Sequence, residues 1–130
     1  MAVQGTPEPF VEILMSTVVA LVRRDGPDLS ARQFGVFLTV YLGEGPHTVR
    51  GLAKELNVSK PAITRALDRL GVHDFTHRQV DPKDRRSILV QRTVKGAALL
   101  REIRAIMGEA AAASDEAAPG GATELRRQHA

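Results

Sequence analysis

A mainly α fold with one small β-hairpin (α+β) is predicted for this chain by three observations. Apolar residues recur at helical spacing in five separate stretches, four of which begin at a Ser or Thr suited to cap a helix. The third and fourth stretches are separated by only three residues, Asn57-Val58-Ser59, which suits a tight turn between two helices. Two β-prone segments, 75–80 and 87–92, flank the turn-forming run Asp81-Pro82-Lys83-Asp84-Arg85-Arg86.

The first helix is expected over 10–24, where Phe10, Ile13, Leu14, Thr17, Val18, Leu21 and Val22 form a wide apolar stripe. Asp25-Gly26-Pro27-Asp28 breaks it. Ser30 and Gln33 predict a capping box for the second helix, with Leu29 and Phe34 as its hydrophobic staple. That helix runs through Phe34, Phe37, Leu38 and Tyr41 to about Leu42 and ends at Gly43-Glu44-Gly45-Pro46. Thr48 caps a short third helix, 49–56, and Asn57 suits the left-handed turn that closes it.

Ser59 caps the fourth helix, and Pro61 falls in its first turn, where a missing N–H costs little. At about 100° per residue this helix divides in two. Ala62, Ile63, Ala66, Leu67 and Leu70 share a face that must be buried, while Lys60, Thr64, Arg65, Asp68 and Arg69 point away. A front of hydroxyls and arginines on a short helix can donate to phosphates and base edges in a DNA major groove. The hairpin that follows carries a basic tip and reads as a wing. Asp81 and Pro82 favour a type I turn there. Thr93 caps a long last helix with Leu99, Leu100, Ile103, Ile106, Met107 and Ala110 along one side, and 119–130 reads as a frayed tail.

Charge follows the same division. Residues 1–46 hold 3 basic and 5 acidic side chains, 47–92 hold 10 and 5, and 93–130 hold 5 of each. The positive excess therefore coincides with the fourth helix and the wing, the footprint of a polyanion-binding surface. No apolar run reaches membrane-spanning length, and the start shows no basic segment leading into an apolar core, so a cytoplasmic protein is expected. With no cysteine there is no disulfide, thiolate metal site or thiol switch. His73 and His77 are four apart and, with His47 as a candidate neighbour, raise the question of a metal site, but 73–77 leave the helix and no further ligand is evident, so no metal and no cofactor is expected. An enzyme is not expected either, because no phosphate loop and no nucleophile with a positioned base is present.

The order of elements and several stretches of sequence resemble the MarR family of bacterial winged helix-turn-helix transcription regulators. The similar stretches are Leu29-Ser30-Ala31-Arg32-Gln33, Thr48-Val49-Arg50-Gly51-Leu52-Ala53, Val58-Ser59 with Ile63-Thr64-Arg65-Ala66-Leu67-Asp68-Arg69-Leu70, and Asp81-Pro82-Lys83-Asp84-Arg85-Arg86 with Thr93-Val94-Lys95-Gly96. Together they span roughly 29–97. The resemblance implies a homodimer that binds a pseudo-palindromic operator in double-stranded DNA, usually as a repressor, with a small aromatic compound as effector. It implies recognition-helix contacts from Ser59, Lys60, Pro61, Thr64 and Arg65, and minor-groove insertion of Arg85 or Arg86 steadied by Asp81 or Asp84. Arg50, Arg69 and Lys83 complete the expected DNA-binding set, with Arg69 on a phosphate or paired with Asp68. One departure is Leu70-Gly71-Val72-His73-Asp74-Phe75, where Asp74 stands at the family's usual glycine and a differently built turn is expected.

The expected organisation is an N-terminal arm and dimerisation helix (1–28), a winged helix-turn-helix domain (29–92), a C-terminal dimerisation helix (93–118) and a flexible tail (119–130). Two amphipathic helices outside the winged domain have only each other and a second copy to cover. The competing reading is a winged helix used as a protein-interaction module with no specific operator. Selective binding of one duplex over scrambled DNA separates the two.

Overall fold

The computed structural model describes residues 8–117, in the order α1 (Glu8–Arg23), α2 (Ala31–Leu42), β1 (His47–Thr48), α3 (Val49–Leu56), α4 (Lys60–Val72), β2 (Thr76–Asp81), β3 (Asp84–Arg92) and α5 (Val94–Ala117). The tail expected at 119–130 and the start of the N-terminal arm lie outside the described residues. The chain divides into two units. One is Pro27–Leu100; the other joins the described residues 8–26 and 101–117, with the division falling inside α5.

In the Pro27–Leu100 unit the helix ends form where the sequence signals them. The Ser30 hydroxyl accepts from the Gln33 N–H at 3.1 Å and the Gln33 side chain accepts from the Ser30 N–H at 2.9 Å, a complete capping box. Thr48 accepts from the Gly51 N–H at 2.9 Å, and Ser59 from the Ala62 N–H at 3.2 Å. Asn57 closes α3 in the left-handed region at φ 57°. Asp74 does the same after α4 at φ 61°. There the Asp74 N–H donates to the Gly71 carbonyl at 2.9 Å and the Phe75 N–H to the Leu70 carbonyl at 2.9 Å. This is a Schellman closure, with the buried Phe75 and Leu70 as its apolar contact. The turn at Asp74 is thus left-handed, the conformation that suits glycine, although aspartate occupies it.

Val36, Phe37 and Val40 of α2, Leu52 of α3, and Ile63, Leu67 and Leu70 of α4 are essentially solvent-free and form the core. Phe37 stacks at 4.6 Å on Tyr41 and meets Phe75 edge-on at 6.1 Å between ring centroids. The Tyr41 hydroxyl donates to the Phe75 carbonyl at 2.8 Å and accepts from the Thr93 N–H at 2.9 Å. One phenol therefore ties α2 to the exit of α4 and the start of α5. Thr93 in turn donates from its hydroxyl to the Asp74 carbonyl at 2.7 Å and caps α5 by accepting from the Gly96 N–H at 2.9 Å.

The expected hairpin is part of a three-stranded antiparallel sheet in the order β1-β3-β2. The added strand, β1, pairs His47 with Val90 and Thr48 with Leu89. Two residues are too few for an alternating pattern to show in sequence. β2 and β3 also reach further out than expected, pairing Asp81 with Asp84 and leaving only Pro82 and Lys83 in the loop.

In the other unit, Arg24 grips Glu102 with two bonds, Nε to Oε2 at 2.8 Å and Nη2 to Oε1 at 2.9 Å. Thr17 is the buried residue of α1, its hydroxyl donating to the Ile13 carbonyl at 2.7 Å. In the single chain the apolar stripe of α1 is largely open to solvent, with Phe10 66%, Leu14 61%, Val18 48% and Val22 68% exposed.

Candidate nucleic-acid interface

α4 buries the face expected of it, and Lys60, Pro61, Thr64, Arg65, Asp68 and Arg69 are exposed. Phe75 and the buried Thr76 lead from its end into β2 and fix the root of the hairpin. A groove of about 600 Å³ results between α3, α4 and the hairpin. Arg50, Lys60 and Thr64 line it from the helices, and Arg78, Asp84 and Arg86 from the strands. The helix front and the wing base thus bound one surface. Val49, Val80 and Ile88 give the groove apolar stretches between its cations.

The basic groups around this surface are mostly unengaged. Among the described residues, the side chains of Arg50, Lys60, Arg65, Arg69, Lys83 and Arg85 make no hydrogen bond or ion pair. Like-charged groups left unpaired beside one groove raise the local potential and favour a polyanion. Ser59 is engaged as the α4 cap, so its hydroxyl orients the helix.

At the tip the two aspartates act differently. Asp81 accepts from the Lys83 N–H at 2.9 Å and so shapes the loop backbone without touching an arginine. Asp84 accepts from the Arg86 N–H at 3.2 Å and lies 3.5 Å from its Nε. Arg86 remains 90% exposed, so this weak pair orients the guanidinium and leaves it open to a ligand. Arg85 stands free beside it.

Two further features were not singled out in the sequence. Asp68 does not pair with Arg69; its carboxylate accepts from Arg78 of β2 at 2.6 Å. Arg78 is ten positions away, and only strand pairing brings it back to the helix. Arg92 donates to the Val40 carbonyl at 2.9 Å and lies 5.8 Å from the Tyr41 ring centroid, so this cation belongs to the scaffold. Among the described residues, no group of three or more His, Asp or Glu side chains is placed to hold a metal ion, and no helix is long and apolar enough to cross a membrane.

Residues 29–88 match the family model described as MarR family. Over 82 residues the chain is 34% identical to the multiple antibiotic resistance protein MarR of Escherichia coli (strain K12), which takes in 63% of this chain and 56% of that protein. The chain spans about half the length of the curated relatives it matches. The transcriptional regulator Tm0710 from Thermotoga maritima has a similar structure, with a TM-score of 0.66 at 22% identity over 94% of this chain and 80% of that one. MepR of S. aureus, solved as a DNA complex, gives a TM-score of 0.62 at 19% identity over 78% of each chain. At these identities the structural likeness speaks for the fold; the family rests on the matched segment. Residues 29–88 of this chain, which carry the match to the MarR family model, fold as a winged helix-turn-helix domain.

Proposed function

We propose that this protein is a transcription regulator that binds a pseudo-palindromic operator in double-stranded DNA as a homodimer, in the sense of a repressor. The observation that carries this reading is the shared groove: the exposed face of α4 and the base of the wing border it together, with the unpaired Arg50 and Lys60 on the helix side and the exposed Arg86 on the hairpin side. α4 enters the major groove, with Thr64 and Arg65 at base edges and Lys60 and Arg69 on phosphates. Arg85 and Arg86 reach the flanking minor groove. Two-fold symmetry sets the two α4 helices about 34 Å apart, one turn of DNA. The exposed apolar stripe of α1 supports the second copy, since a bare surface of that kind is an association site. That MepR is seen with DNA favours the same partner here. A small aromatic effector is the ligand that the family resemblance implies.

Selection of duplexes from random DNA by the purified protein tests this reading. Enrichment of an inverted repeat, with affinity falling steeply from low to moderate salt, is the expected result. No enrichment, with salt-insensitive binding, would replace it with the protein-interaction module.

A further inference from the structure

We infer that Asp68 and Arg78 are a positioning pair that sets the wing against the recognition helix; the inference rests on the DNA-binding reading above. Beyond Thr76 the hairpin carries no buried residue until Val90, so its outer half has no core of its own. β2 and β3 hold each other by their ladder, but a ladder does not fix the pair against α4. Among the described residues, the 2.6 Å contact from Arg78 Nη2 to Asp68 Oδ1 is the side-chain hydrogen bond that joins α4 to the hairpin. It crosses the groove wall midway along β2, where Arg78 pairs with Val90 on one side and reaches α4 on the other. A small change of angle at this point displaces Arg85 and Arg86, because they lie towards the far end of the hairpin.

Asp68 is otherwise hard to account for on this face. Its carboxylate is 60% exposed among groups meant for phosphates, and an unpaired anion there would repel DNA. Pairing with Arg78 cancels that charge and makes use of it. The alternative is that Arg78 is itself a DNA ligand and Asp68 a bystander. The two accounts predict opposite signs for Asp68→Asn. As a bystander, the lost negative charge strengthens DNA binding. As a positioning group, its loss weakens binding despite the more favourable charge.

The test measures Asp68→Asn, Arg78→Gln, the double substitution and the conservative Arg78→Lys against a duplex enriched by the unsubstituted protein. We expect each single substitution to lose about threefold to fivefold in affinity, the range of an exposed ion pair, and the double to lose no more than either. Arg78→Lys recovers part of the loss. In a background lacking Arg85 and Arg86, Asp68→Asn no longer weakens binding, since no wing contact remains to be misplaced. A DNA-free readout accompanies these: hydrogen exchange of amides in 79–88 speeds up in Asp68→Asn while α4 keeps its protection. Tighter binding by Asp68→Asn, or unchanged exchange in the hairpin, overturns the inference. If the unsubstituted protein enriches no duplex, the DNA-binding reading fails, and the exchange result still decides whether the pair holds the wing.

Discussion

Asp74 holds a backbone φ of 61°, a region in which a β-carbon crowds the following carbonyl. Its Schellman closure delivers Phe75 to the core and Thr93 to the Asp74 carbonyl, so the surrounding contacts impose the conformation. Asp74→Gly relieves the crowding and is expected to stabilise the protein by about 0.5–1 kcal/mol, read as a raised urea midpoint with an unchanged m-value. Tyr41 is the opposite case, a residue whose loss is costly. Tyr41→Phe leaves the Phe75 carbonyl and Thr93 N–H without their partner and is expected to cost about 1–3 kcal/mol by the same measurement. Neither role can be read from spacing. The capping signals of Ser30, Thr48, Ser59 and Thr93 were readable because each acts on an amide three residues away. The Tyr41 bonds span 34 and 52 positions.

α4 and the hairpin belong to the next scale. α4 was legible in full, since its buried and exposed faces follow from helical periodicity alone. Arg65→Ala is expected to relax base preference at one operator position, costing about 1–3 kcal/mol of discrimination while binding to unrelated DNA changes little. Arg85→Ala with Arg86→Ala should act differently. If both approach phosphates in the minor groove, the slope of log affinity against log salt becomes shallower by about 0.9 for each. Titration of the selected duplex at several salt concentrations separates these outcomes. The hairpin was legible from its β-prone flanks, but its third strand was not. β1 is two residues long and exists because β3 offers it Val90 and Leu89 as partners. The Asp68–Arg78 contact was hidden for a related reason: Asp68 has a nearer cation in sequence, Arg69, and only the strand's path decides between them.

At the scale of the whole molecule, the exposed stripe of α1 is what the winged domain does not account for. Phe10, Leu14, Val18 and Val22 are spaced to share one helix face, and all are open to solvent in the single chain. If a second copy covers them, Leu14→Glu with Val18→Glu yields a monomer by sedimentation while far-ultraviolet circular dichroism stays helical. Operator affinity should then fall by orders of magnitude, because a single half-site supplies about half of the contacts. A dimer that persists in this variant would move the interface elsewhere.

The sequence by itself determined the helices, their caps, the buried side of α4 and the basic hairpin, because these depend on residues within a turn or two of one another. It also showed the positive charge concentrated in residues 47–92. Only the tertiary structure decided which cation neutralises Asp68, which phenol joins three elements, and that a third strand completes the sheet. Those outcomes depend on which distant segments share a surface, and that is set when the core around Phe37, Ile63 and Leu67 closes.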